Sequence, residues 1–305
     1  MGGSHGHGHV SATGRHRRRL VIALAITLSV MAAEVVGGLL SGSLALLADA
    51  GHMLTDAAGV GLALLAASFA VRPATPERTF GYHRFEILAA VVNALLLFGV
   101  AGFVLVEAVR RLASPPEVQP GLMLVTAVVG LVANTASLLV LRGGEAESLN
   151  VRGAYLEVLG DLLGSAAVVV AAVVVAVSGY TRADAIASAL IGLMILPRTW
   201  GLLREAVDVL LEATPKGVDL GAVRDHLLGT PGVLDVHDLH AWTITSGMPV
   251  LSAHVVVDGD VLAAGGGGRV LDHLCHCLAG HFDVEHCTFQ IEEPAHREHE
   301  RAHHP

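Results

Sequence analysis

The chain has 305 residues, 53% of them hydrophobic and only 15% charged, with a net charge of −9 and a mean hydropathy of +0.61. Soluble globular proteins carry about 25% charged residues, so this composition excludes an ordinary soluble domain and points to a membrane protein. Half of the 28 acidic residues but only five basic ones fall from Glu212 onward, which excludes the basic face that a nucleic-acid partner needs.

Residues 1–18 read as a histidine-rich tail containing "SHGHGH" and most of the arginine cluster Arg15–Arg19. Leu20–Leu40 follows, 21 residues interrupted only by Glu34. It is too long for a signal peptide and has no small-residue cleavage site, so it is a first span. Further spans read as Leu44–Val71, Ile87–Val106, Gly121–Leu141, Ala154–Val177, and a sixth from Ala183 past Pro197 toward Leu203, within a membrane domain of residues 19–211. Pro197 predicts a kink or an early exit from the bilayer. With six spans, nine arginines (15, 17, 18, 19, 72, 78, 84, 142 and 152) fall on the side of the termini and three (110, 111 and 182) opposite. The positive-inside rule then puts both termini in the cytoplasm of a cell carrying this multi-pass protein in its inner or plasma membrane.

Beyond "DVLLEATP" (208–215) the pattern changes. Asp219–Leu228 has helical spacing, and Val233–Trp242 and Val250–Val257 have strand composition around a Ser246–Gly247 turn. Arg269–Leu278 is helical again and Thr288–Ile291 closes as a strand. The order αββαβ over residues 212–293 predicts a cytoplasmic ferredoxin-like α+β domain. Residues 294–305, with "AHREHERAHHP", read as a disordered histidine-rich tail. Three cysteines, all near the C-terminus, are too few for a disulfide framework and suit a reducing compartment.

The chemistry is concentrated in "LADAGHMLTDAAG" (47–59), inside the second span. A charge at the bilayer centre costs on the order of 3 kcal/mol, so polar groups there mark function. His52 and Asp56 stand four apart, which stacks them on one helix face, and Glu157 and Asp161 repeat that spacing in the fifth span. Two helices with one such pair each can bring four donors to a point, as zinc prefers. Three acids so placed would repel one another without a cation. Asp49 lies on nearly the same face as His52, and either lines the path, supports the ligands or serves the helix start; Glu34 is equally open. No HExxH run lies within a span, so an intramembrane zinc protease is not expected and the chain reads as no enzyme.

"SLALLADAGHMLTDAAG" (43–59), "FGYHRFEILAA" (80–90), "LNVRGAYLEVLGDLLGS" (149–165), "DVLLEATP" (208–215) and "GVLDVHDLHAW" (232–242) together resemble the cation diffusion facilitator family, in its bacterial zinc, cadmium and cobalt efflux branch. The resemblance runs from about residue 16 to 293. It implies a homodimeric exporter in the lipid bilayer that moves divalent cations out of the cytoplasm in exchange for protons, with Zn2+ first among cadmium, cobalt, manganese and iron. It carries the transport site onto His52, Asp56, Glu157 and Asp161. It also carries a cytoplasmic metal site onto His237, His254, His286 and Glu292, where the same metal acts as a regulatory ligand. Two departures stand out. Where the branch usually has His, this chain has Glu157, which hardens the donor set and moves it away from soft cadmium. The loop between the second and third spans reads "PERTFGYHR", and His83 alone makes no site there. His240, Cys275, Cys277 and Cys287 are further candidate ligands. A cation channel or a metal-sensing receptor without proton coupling would bury similar groups.

Overall fold

The computed structural model describes residues 12–142, 149–282, 284 and 286–300; residues 1–11 and 301–305, with the "SHGHGH" segment and the last histidines, lie outside them. Six helices come first: α1 (Ala12–Ser41), α2 (Leu44–Ala70), α3 (Phe85–Ala113), α4 (Pro120–Leu141), α5 (Leu149–Ser178) and α6 (Arg182–Leu210). All six are long and apolar enough to cross a membrane; the shortest, 22 residues, spans about 33 Å at 1.5 Å per residue. Helix α6 runs unbroken through Pro197 to Leu210. The helix does not end at the proline. A proline in a membrane helix is tolerated because neighbouring helices satisfy the backbone groups it frees.

The chain divides into two compact units, one of Met1–Gly61 with Val92–Gly201, the other of Leu62–Val91 with Leu202–Pro305. The first has a core rich in small side chains, including Ala45, Ala48, Ala101, Ala127, Ala171, Ala172 and Ala187, with Met123, Val168 and Ile191 filling between them. Small residues let helix backbones approach where lipid supplies no hydrophobic drive. Leu39, Phe103 and Val177 face outward instead, as a lipid-facing surface requires.

The start of α2 is held from α6. Ser43 Oγ donates to Asp184 Oδ1 at 2.6 Å and accepts from Leu46 N at 3.2 Å. Leu44 N and Ala45 N donate to the two Asp184 carboxylate oxygens at 2.8 and 3.1 Å. The first-turn N–H groups, which have no partner within the helix, are thereby satisfied by a buried anion at the positive end of the helix. Arg111 Nη1 lies 3.8 Å from Asp184 and donates to Gly42 O at 2.6 Å.

In the second unit, α7 (Leu220–Leu228), β1 (Val233–Thr243), β2 (Pro249–Val257), α8 (Gly259–Ala263), α9 (Gly267–His281), β3 (His286–Glu292) and α10 (Pro294–Glu300) complete the chain. The sheet order is β1-β2-β3, with β1 and β2 antiparallel and β2 and β3 parallel. Val223 and Leu227 of α7 and Leu274 and Leu278 of α9 bury against Val236, Leu251 and Val255 of the sheet. Asp219 caps α7 by accepting from Gly221 N and Ala222 N. Two elements depart from the sequence reading. The short α8, capped by Asp258, precedes α9. Pro294–Glu300, read as disordered tail, is helical: Pro294 opens the helix, a position where its missing N–H costs nothing, and Arg297 pairs with Asp235 of β1.

Candidate metal centres

In the first unit, His52 Nε2 and Asp56 Oδ2 lie 3.4 Å apart on one face of α2. The Asp56 carboxyl is within hydrogen-bond reach of Glu157 on α5. Asp161, one turn further along α5, interacts electrostatically with Asp56 and Glu157. The two pairs therefore face each other across the α2–α5 contact. Accessibility falls along the group, from 35% for the Glu157 side chain to 2% for Asp161. His52 Nδ1, Asp56 Oδ2 and Asp161 Oδ1 are buried and make no hydrogen bond. Buried polar atoms are almost always partnered, and three exceptions in one spot mark a place built for something else.

Glu34 of α1 and Asp49 of α2 are also buried. Asp49 Oδ2 accepts from Ser165 Oγ at 3.4 Å, and Ser165 Oγ accepts from Asn134 Nδ2 at 3.1 Å. Asp49 thus reaches across to α5 and α4, while the helix start belongs to Ser43 and Asp184. The Glu34 and Asp49 carboxyl groups lie within hydrogen-bond reach of each other. A Cβ at Gly164 would meet Asp49 Oδ1 at 2.6 Å, so only glycine lets α5 come this close. Glu34 and Asp49 both act electrostatically near this spot, Asp49 on Asp161, which fits a path or support and not a helix-start role.

The second unit gathers a tighter group. His237 and His254 are direct cross-strand partners on β1 and β2, their rings 5.2 Å apart. Glu292, at the end of β3, is buried beneath them; its Oε2 lies 3.2 Å from His237 Nε2 and its Oε1 2.8 Å from His254 Nδ1. Among the described residues, these are the only three His, Cys, Asp or Glu donors all within 4.8 Å of one another; the membrane four face each other without closing to that distance. His286 does not join the triad. It pairs with Val250 at the opposite end of β3, six residues and about 20 Å from Glu292, with its ring edge-on to Phe80 at 6.5 Å. Sequence reasoning missed Asp238, whose Oδ2 is 3.6 Å from His254 Nε2 and whose Oδ1 is 2.9 Å from the exposed His240 Nε2. The β1 register slips between His237 and His240, with Asp238 at φ 48. A bulge re-aims side chains, and aspartate tolerates that left-handed backbone.

The three cysteines are not part of that close donor group among the described residues. Cys287 Sγ donates to Cys275 Sγ at 3.0 Å, while Cys277 is buried and donates to Leu274 O. Burial, with the neighbouring Cys275 thiol, pushes Cys287 up to about 12, and burial raises Cys277 too.

Residues 20–211 match the family described as "Cation efflux transmembrane domain", and residues 215–294 match "Cation efflux protein, cytoplasmic domain". The chain is 49% identical over 292 residues to "Metal cation efflux system protein CzcD" of Cupriavidus metallidurans, covering 96% of this chain and 90% of that protein. It is 42% identical to "Zinc transporter ZitB" of Escherichia coli, over 96% of this chain and 94% of that one. It is 38% identical to "Cadmium, cobalt and zinc/H(+)-K(+) antiporter" of Bacillus subtilis, over 93% of this chain and 91% of that one.

Proposed function

Since the chain belongs to the cation diffusion facilitator family, in its bacterial zinc, cadmium and cobalt branch, we propose that it exports Zn2+ from the cytoplasm in exchange for protons. The observation that carries this is the approach of His52–Asp56 on α2 to Glu157–Asp161 on α5, with three donor atoms left without hydrogen bonds. One nitrogen and three carboxylates suit Zn2+ and harder divalent ions better than cadmium.

Charge dictates the cycle. Three ionised acids together are untenable in a low-dielectric bundle, so the site holds either protons or a dication. Metal from the cytoplasm displaces protons, the bundle reopens to the far side, and protons there displace the metal. The termini lie in the cytoplasm, in keeping with the nine-to-three arginine distribution, and two copies form the working dimer. His237, His254 and Glu292 bind the same metal as a cytoplasmic sensor, and their occupancy draws the two protomers together.

The test is Zn2+ uptake into inside-out vesicles with and without an imposed pH gradient. An acidic lumen should accelerate uptake, because protons leave as metal enters. Downhill uptake indifferent to the gradient would instead identify a channel. For the sensor, Glu292→Ala in the purified full-length protein should weaken one class of bound Zn2+ by on the order of 100-fold or more, read by equilibrium dialysis; unchanged binding would remove the triad from the reading.

A further inference from the structure

Among the four groups assigned to transport, Glu157 is the one joined to a cationic side chain. Arg198 of α6 donates from Nη2 to Glu157 Oε1 at 3.2 Å. The same guanidinium acts electrostatically on His52, Asp56 and Asp161. One oxygen of a prospective ligand is thus engaged by a positive charge belonging to the protein. We propose that Arg198 is an affinity-setting residue that competes with the transported dication for Glu157 and balances the site's charge once the ion is bound.

The charge count motivates this. His52 is neutral when it ligates, so Asp56, Glu157 and Asp161 bring −3, a bound dication leaves −1, and Arg198 brings the total to zero. Glu157 and Arg198 together are isoelectric with a neutral donor, so the acid at 157 adds a ligand oxygen without adding net charge. The competition follows from the direct bond: a dication that takes both Glu157 oxygens must displace the guanidinium. Arg198 is free to yield. Its side chain is 63% exposed, it is long and flexible, and it follows Pro197, which contributes no backbone N–H to its turn of helix. When the guanidinium returns to Glu157, it weakens the hold on the ion and favours release.

This rests on the transport-site reading above, and the experiment separates the two. Zn2+ uptake kinetics in proteoliposomes are measured for the parent chain, Arg198→Gln, Arg198→Lys, Glu157→His, and Glu157→His with Arg198→Gln. Arg198→Gln should lower KM by about tenfold and reduce Vmax, because an ion held more tightly leaves more slowly. Equilibrium dialysis should show the same tightening of Zn2+ binding. Arg198→Lys keeps the charge and should restore most of the parent KM. With His at 157, removing Arg198 should lower KM by clearly less than in the parent background, since the direct bond is gone and only its longer-range action on the other three ligands remains. An unchanged or raised KM in Arg198→Gln overturns the proposal, as does an equal shift in both backgrounds. If Arg198→Gln fails to insert, Arg198→Met carries the same expectation. Full Zn2+ uptake by Asp161→Ala would instead defeat the transport-site reading itself.

Discussion

Zn2+ uptake by proteoliposomes should fall to the protein-free background when Asp161 is replaced by alanine. Asp161 is the deepest of the four candidate ligands, 2% exposed, and its Oδ1 is buried without a hydrogen bond. That oxygen's burial costs desolvation energy with no hydrogen bond to offset it. Removing the carboxylate should leave the fold intact, which an unchanged elution profile would verify, while the ion loses one of four donors and one of three negative charges. A loss of uptake of at least about 100-fold follows if all four donors act as a unit, since residues that act together do not contribute additively. Asp161→Asn keeps the shape but not the charge and should behave alike. Undiminished uptake in either variant would remove the α2–α5 assignment altogether.

Glu157→His should change which metal is carried. The parent set offers one imidazole nitrogen and three carboxylates; the variant offers two of each. Softer, nitrogen-richer sites favour zinc and cadmium over manganese and iron, so selectivity for zinc and cadmium should rise by about tenfold, equivalent to about 1.4 kcal/mol. Competition uptake with zinc, cadmium, cobalt, manganese and iron on one preparation reads this directly. The variant also frees Arg198 from its Nη2–Oε1 bond, so its zinc KM need not resemble the parent's even where the ranking shifts as expected. An unchanged ranking would mean that the carboxylate at 157 does not set the preference.

Much of this molecule was legible from its amino acids, and the exceptions share a cause. A bilayer imposes a length and a polarity, so apolar stretches of some 20 residues declared themselves as spans, and the i, i+4 pairs within them declared a shared helix face. The αββαβ order of the second unit was equally plain from strand composition and the Ser246–Gly247 turn. What escaped depends on contacts distant in sequence. Nothing in the local sequence singles out Arg198, and only the fold puts it on Glu157. Asp238 needed a bulge that no local pattern announced. His286 was placed with the triad because its strand was right, but its register sets it at the far end. The segment after Glu293 looked too polar to order itself, and it becomes helical where Arg297 can reach Asp235.

The tether at the start of α2 restricts what the helix can do. Three donors from residues 43–45 converge on the buried Asp184 of α6. A one-turn slide of α2 along its axis, about 5.4 Å, would strip that carboxylate of all three and leave it only the Arg111 guanidinium 3.8 Å away. A tilt about the same point keeps every bond. For the exchange cycle proposed above, this tether favours a swing of the His52–Asp56 face from a fixed pivot, with α2 and α6 travelling as one arm, over a piston stroke.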